Sequence, residues 1–235
     1  MNMIDIREAA KTNGISRMYL VKRLLLDIVY PNRCPFCNEI IPFDEFHCKG
    51  CGLFFSPAPE KWEYGFLDGL TAFTVYDTVS RAFISKIKRE SNGYAISAAA
   101  YMIAESLINE DHTAALDCIT GVPMRRKAVR KRGYNQTELI AKELSGIIGL
   151  PFVHLLKKNR DTMEQKKLGA EGRKNNVRNA FSLVSKRYDI LGKNILIVDD
   201  VTTTGSTLSE IAGTLKAAGA GKVYAAVFAK TPRKK

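Results

Sequence analysis

Two adjacent carboxylates, Asp199 and Asp200, separate an apolar run, Ile195 to Val198, from a stretch of small hydroxyl residues, Thr202, Thr203, Thr204, Gly205, Ser206 and Thr207. The apolar run reads as a strand buried on both faces, the usual state of a central parallel strand. Leu208, Ile211 and Leu215 then fall on one helical stripe, and Thr207 and Glu210 have the spacing of a capping box. A strand, a tight polar loop and a helix start together make a phosphate site. Backbone N–H groups at a helix N-terminus point at the ligand, the helix dipole favours negative charge, and a glycine permits close approach. A phosphate does not want carboxylates beside it. Acceptor-only groups suit sugar hydroxyls, or magnesium and its bound water, and two of them at the end of a buried strand are costly without partners. The spacing predicts phosphate and ribose held together.

A second set of residues suits a metal. Four of the five cysteines pair as Cys34-x2-Cys37 and Cys48-x2-Cys51, with ten residues between the pairs. Each pair offers two thiolates, and two pairs complete a tetrahedral zinc site with no open position, which makes it structural. A disulfide pairing is disfavoured in an intracellular chain, and two close pairs in a loop-rich segment fit a metal better than a redox motif. His47 could replace a ligand, but the sulfur set is already closed. Cys118 lies in an apolar run and reads as a small core residue.

A third set is basic. From Arg125 to Arg132, six of eight residues are cationic, directly after the apolar strand Leu116 to Val122 and Pro123. Ligands of open α/β sheets bind outside the carboxyl ends of the strands, so this basic turn and the aspartate loop are expected on one edge. A cationic turn facing a phosphate cradle suits a second phosphate group. A solvated charge run and a nucleic-acid surface are the alternatives.

The elements that position these sets follow from pattern. Residues 17–30 read as an amphipathic helix stopped by Pro31, and residues 1–16 as a loose N-terminus. The cysteine knuckle occupies 31–55, so 17–58 forms one unit and 61–235 the larger domain. There, Leu70–Tyr76, Leu116–Val122, Phe152–Leu156, Phe181–Val184, Ile195–Val198 and Val223–Phe228 read as strands. Val79–Lys88, 95–109 and Asn135–Gly149 read as helices, the last with Asn135 and Glu138 as start signal and Gly149 and Pro151 as stop. Such alternation implies an α/β fold, a parallel or mixed sheet flanked by helices. Residues 157–180 are charged and too long for an ordinary connection, hence a functional lid or a disordered segment. A basic tail from Lys230 closes the chain.

With 235 residues the chain supports one good core plus a small appendage, and its net charge of +12 favours anionic partners. No apolar run reaches the length of a membrane span, and the first residues lack the shape of a signal peptide, so the cytoplasm is expected. No Walker-type loop and no convincing Ser-His-Asp or Cys-His set is present, which argues against nucleotide hydrolysis and nucleophilic hydrolases.

The aspartate–hydroxyl segment resembles the binding signature of type I phosphoribosyltransferases, which use phosphoribosyl pyrophosphate (PRPP). Val122-Pro123 followed by Arg132, Gly133, Tyr134, Asn135 and Gln136 is similar to the arginine-glycine-aromatic-asparagine-glutamine block of the ComF competence-protein family. So is the spaced set Arg160, Thr162, Gln165, Leu168, Arg173, Asn176 and Phe181, and so is an N-terminal four-cysteine knuckle after a short helix. The likeness spans residues 20 to 230; Tyr134 departs mildly from the usual phenylalanine, and the sixteen leading residues are extra to the pattern. The resemblance implies a type I phosphoribosyltransferase-like sheet. Asp199 and Asp200 would hold the ribose hydroxyls, Thr202 to Thr207 the 5-phosphate, and Pro123, Met124, Arg125 and Arg126 the pyrophosphate. Residues 157–180 would form the flexible hood, and Mg2+ would arrive with PRPP.

Three functions remain open on this reading. One is phosphoribosyl transfer to an unidentified acceptor, linked to DNA uptake. Another is a non-catalytic module that binds single-stranded DNA and a competence helicase. The third is a PRPP sensor that binds nucleic acid through the knuckle and basic surface. Acceptor and oligomeric state are not legible.

Overall fold

Strand alternation organises the core. The computed structural model describes residues 25, 28–42, 45, 47–52, 55–56, 58, 65–89, 93–109, 115–159, 180–184 and 188–232. The loose terminus expected for 1–16, most of the helix expected for 17–30, and the hood between 160 and 179 lie outside the described residues. After a short α1 (Lys49–Gly52) come β1 (Gly69–Val75), α2 (Thr78–Arg89), α3 (Gly93–Asn109), β2 (Cys118–Gly121), α4 (Arg126–Arg132) and α5 (Gln136–Ile148). Then follow β3 (Leu156–Lys158), β4 (Phe181–Leu183), β5 (Ile195–Thr202), α6 (Ser206–Ala217) and β6 (Val223–Lys230).

Four strands form a parallel sheet in the order β1-β6-β5-β2, and β3 and β4 pair antiparallel beside it. On β5, Leu196 and Val198 join the core under α2, α3 and α5, whereas Ile195 and Ile197 join the core under α6. On β6, Ala226 and Phe228 face the first core and Val223, Ala225 and Val227 the second. A sheet covered on both faces needs apolar residues at every position, which explains the continuous runs in these strands. Cys118 is fully buried, as its apolar setting implied.

Four expectations are corrected. The basic segment is a helix, α4, not a turn, and it buries no side chain. The short strand expected over Phe152–Leu156 shifts to Leu156–Lys158. Phe152 makes only a single bridge to Ile119, and farther along the Leu155 carbonyl accepts from the Val184 N–H instead, which turns the segment to β4. β5 continues through Thr202, so both aspartates are in-strand, carried by pairing of Val201 with Ala229 and Thr202 with Lys230. Lys230 is therefore not a tail residue: it ends a central strand and is 2% exposed.

The cysteine segment is docked on the larger domain. Phe36 packs tilted against Phe83 of α2 at 4.6 Å between ring centroids, Phe83 lies 4.9 Å from Phe228, and Phe55 lies 5.7 Å from Phe228, edge to face. Lys86 Nζ donates to the Pro35 carbonyl at 2.6 Å, and Tyr94 Oη donates to the Pro31 carbonyl at 3.1 Å. Aromatic pairs at such centroid distances add about 0.5–1.5 kcal/mol each beyond area burial.

Candidate active site and metal centre

β2 and β5 run parallel and adjacent, so the Val122–Arg126 turn and the aspartates share the carboxyl edge of the sheet; the Val122 N–H donates to the Val198 carbonyl at 2.9 Å. The turn is pinned from α5. Thr137 Oγ1 and Asn135 Nδ2 both donate to the Val122 carbonyl, at 2.6 and 3.2 Å, while Asn135 Oδ1 caps the helix by accepting from the Thr137 N–H. Pro123 is buried, Met124 and Arg125 are half-buried, and Arg126 is exposed.

Asp200 is buried and held by two donors on one oxygen. Gln136 Nε2 donates to its Oδ2 at 3.0 Å and Lys88 Nζ lies 2.7 Å from the same atom. Gln136 is oriented in turn by Arg132, whose guanidinium donates to Gln136 Oε1 and reaches Met124 Sδ at 3.6 Å. Gly133 ends α4 in the left-handed region (φ 88°), which turns the chain so that Arg132 and Gln136 meet. Tyr134 Oη donates to the Ile87 carbonyl of α2 at 2.6 Å. The Arg132–Gln136 block is thus a brace for Asp200. Lys88 was missed by sequence reasoning: one lysine in the last turn of an amphipathic helix carries no signal of its own.

Asp199 keeps part of its surface open, yet its carboxyl sits among protein atoms. Desolvation, then the charge of Asp200, lifts its pKa well above the ordinary 3.8, opposed by the Asp200 N–H, which donates to Asp199 Oδ1 at 2.8 Å, and by Lys88. A half-buried carboxyl beside an anchored one suits a partner that brings hydroxyl donors or a cation.

The hydroxyl loop leads from Thr202, buried, through exposed Thr203 and Thr204 to Gly205, the N-cap of α6 with φ 74°. Thr204 Oγ1 donates to Ser206 Oγ at 3.0 Å, and Ser206 and Thr207 are exposed at the helix start. The expected capping box is not formed. Helix α6 starts at Ser206, and Glu210 Oε1 instead accepts from the Ala180 N–H at 3.1 Å, tying the base of β4 to α6. Thr162, Gln165, Arg173 and Asn176 lie outside the described residues.

A cavity of about 1030 Å³ lies beside this edge and shares Pro123, Met124 and Arg126 with the turn, but none of the residues from Asp199 to Thr207 lines it.

The four cysteines come together, their sulfurs all within 4.8 Å of one another. Tetrahedral zinc with Zn–S near 2.3 Å needs sulfur separations of about 3.8 Å, and Cys37 and Cys48 Sγ are 3.6 Å apart. Asn38 at φ 67° makes the sharp turn of the first pair, and the Cys51 N–H donates to Cys48 Sγ at 3.4 Å in the second. Burial pushes the Cys34 thiol up, but N–H groups of Cys37, Cys48 and Phe36 outweigh it and bring it down to about 7. His47 stays out of the cluster, its Nδ1 3.2 Å from the Cys48 carbonyl. The donor set fits a structural zinc ion.

Comparison with known proteins agrees with this geometry. The phosphoribosyl transferase domain family matches residues 128–235. Competence protein F of Haemophilus influenzae is 26% identical over 193 residues, covering 80% of this chain and 82% of that protein. DNA utilization protein YhgH of Escherichia coli is 29% identical over 207 residues, covering 81% and 86%. Among solved structures, the allosteric regulatory enzyme of purine biosynthesis covers 57% of this chain and 26% of its own, with 26% identity and a TM-score of 0.40, too low to add to the domain match.

Proposed function

We propose that this chain, a ComF-type homologue with the type I phosphoribosyltransferase fold and an N-terminal four-cysteine cluster, binds PRPP and transfers its phosphoribosyl group to a nitrogen acceptor in a process linked to DNA uptake. One observation carries the reading: a half-buried Asp199 beside a braced Asp200, in-strand, running directly into the Gly205-capped start of α6. Asp199 and Asp200 would accept from the two ribose hydroxyls. The Thr202–Thr207 loop would take the 5-phosphate at the helix start, where N–H groups and dipole favour an anion. Pro123, Met124, Arg125 and Arg126 would face the pyrophosphate.

In the step proposed, the bond from the anomeric carbon to the pyrophosphate oxygen breaks as a bond to the acceptor nitrogen forms, and the nitrogen loses its proton. Negative charge grows on the departing pyrophosphate, where Arg125 and Arg126 stabilise it. Magnesium carried on the diphosphate would share that charge, held mostly by substrate oxygens and water. Residues 157–180 would close over the reaction and exclude water.

A non-catalytic reading rests on the net charge of +12 and on α4, an exposed helix with five of seven residues basic; it makes the chain a nucleic-acid or PRPP-sensing module with a competence helicase as a partner. Calorimetric titration with PRPP and magnesium separates the readings. Binding by the wild type that is lost in Asp199→Asn/Asp200→Asn supports the PRPP site, and release of pyrophosphate on adding acceptors then separates catalyst from sensor. A wild type that binds no PRPP overturns both.

A further inference from the structure

The aspartate pair suits either hydroxyl donors or a cation, and the atoms already engaged around it decide between the two. Lys88 Nζ and Gln136 Nε2 both address Asp200 Oδ2, at 2.7 and 3.0 Å. Arg132 donates to Gln136 Oε1, so the amide that faces Asp200 is itself polarised by a cation. Asp199 Oδ1 accepts the Asp200 N–H at 2.8 Å. Each carboxyl therefore keeps one oxygen that no donor among the described residues takes, Oδ2 of Asp199 and Oδ1 of Asp200. Two acceptor oxygens on neighbouring residues match two hydroxyl donors on neighbouring carbons.

A divalent cation asks for more than this. Magnesium takes a near-octahedral set of oxygens. Among the described residues, the only group of three or more His, Cys, Asp or Glu side chains close enough to share an ion is the four-cysteine cluster. The aspartates stand as a pair, with an ammonium already in contact with one of them. That ammonium acts on both: it opposes the rise that burial and Asp200 impose on the Asp199 carboxyl. It is also placed rather than left to wander. Lys86, two residues earlier, donates to the Pro35 carbonyl at 2.6 Å, and the carbonyl of fully buried Ile87 accepts from the Tyr134 hydroxyl. Lys88 thus neutralises Asp200 and fixes its orientation, as a bound metal would, while offering no vacant coordination position. A second cation arriving at a half-buried pair meets that charge with little screening.

We infer that Lys88 is a positioning and specificity-determining residue: it is the resident cation of the aspartate pair, it keeps divalent metal off both carboxyls, and it reserves one oxygen of each for the two hydroxyls of a ribose-type diol. The identity of the diol rests on the phosphoribosyl reading, whereas the exclusion of metal rests on the ion pair alone. Magnesium then enters only on the diphosphate of the ligand, and the aspartates bind none of their own.

The test uses the full chain, loaded with zinc, and has two arms. In the first, PRPP is absent and free Mn2+ is followed by electron paramagnetic resonance as manganese is added. Wild type and Lys88→Arg should leave the manganese free. Lys88→Met and Lys88→Gln should each take up about one ion per chain, at least tenfold more tightly than wild type, and adding Asp200→Asn to either should abolish the uptake. Lys222→Met, at an exposed lysine just before β6, controls for net charge and should match wild type. In the second arm, calorimetry follows PRPP affinity against magnesium concentration. Wild-type affinity should rise and level off, whereas that of Lys88→Met should pass through a maximum and fall, because metal on the aspartates displaces the hydroxyls. The inference fails if wild type binds manganese as tightly as Lys88→Met, or if Lys222→Met takes up as much. It also fails if Lys88→Met loses PRPP affinity equally at every magnesium concentration, which would leave Lys88 a structural brace. A wild type that binds no PRPP overturns the phosphoribosyl reading, and the manganese arm still decides whether Lys88 keeps metal out.

Discussion

Lys88 Nζ lies 2.7 Å from Asp200 Oδ2, and it does so from the same helical turn that carries Lys86 to the Pro35 carbonyl. The last turn of α2 therefore touches both the carboxylate of the candidate site and the segment between the first two cysteines. Ile87, between them, receives the Tyr134 hydroxyl. Three sequence-distant features meet on three consecutive residues.

Removing the lysine charge should expose what it does. Asp200 is 8% exposed and Lys88 35%, so the pair is partly screened and the loss is smaller than the 3–5 kcal/mol of a fully buried pair. Lys88→Met should cost about 1–2 kcal/mol in urea unfolding, and Lys88→Arg much less. On an Asp200→Asn background the same change should cost little, because an amide needs no cation. A double-mutant cycle measures the difference, and a coupling near zero would show that the contact is incidental.

The docked knuckle makes metal content a property of the whole fold. Cys37→Ser should release the ion and weaken the contacts of Phe36 with Phe55 and Phe83, lowering the thermal midpoint of the full chain rather than unfolding the knuckle alone. Zinc measured by emission spectroscopy should fall from about one per chain towards zero. Unchanged metal content would sink the zinc assignment.

The central unit was readable because several local signals agreed. Ile195 to Val198 had to be doubly covered, and Asn135 and Gly149 bracketed α5 as its caps. What escaped was tertiary. Nothing in the residues around Lys88 announces Asp200, 112 positions later, and the strength of β5 beyond Val198 depends on β6 beside it. The basic segment misled for a similar reason: six cations in eight suggest an extended solvated turn, whereas arginine and lysine are good helix formers and Gly133 provides the stop. Glu210 had the spacing of a capping box but found the Ala180 N–H instead.

Asp199 gives the ligand-free protein a pH signature. Desolvation and the charge of Asp200 raise its pKa in the folded chain well above 3.8, so the folded state holds that proton more tightly than the unfolded state. Stability from this group is greatest below about pH 4 and falls as pH rises through the raised value, after which the cost is constant. Glu210 titrates in the same direction and Asp68 in the opposite one, so the clean observable is wild type minus Asp199→Asn. Thermal midpoints from pH 4 to 9 should show the variant gaining on the wild type as pH rises, and ending more stable at neutral pH. Parallel profiles would remove the assignment.

Gly121 tests whether the brace on Asp200 depends on close packing. A Cβ there would lie 2.9 Å from the Glu138 Cα and 3.0 Å from the Glu138 nitrogen, both backbone atoms at the start of α5. No rotamer can relieve that contact, so Gly121→Ala must push α5 off β2, taking with it Thr137 and Asn135, which hold the Val122 carbonyl, and Gln136, which holds Asp200. Overpacking of this kind typically costs 1–3 kcal/mol, and about 2 kcal/mol is expected here in urea unfolding. The displacement should also weaken the proposed PRPP binding by more than Lys88→Arg does, because it moves the turn and the aspartate brace together. Gly93 is the control: a Cβ there meets nothing within 4 Å, so Gly93→Ala at the exposed start of α3 should leave stability and binding nearly unchanged. If Gly121→Ala is equally silent, β2 and α5 are not packed closely enough for the turn to be held as the hydrogen bonds indicate.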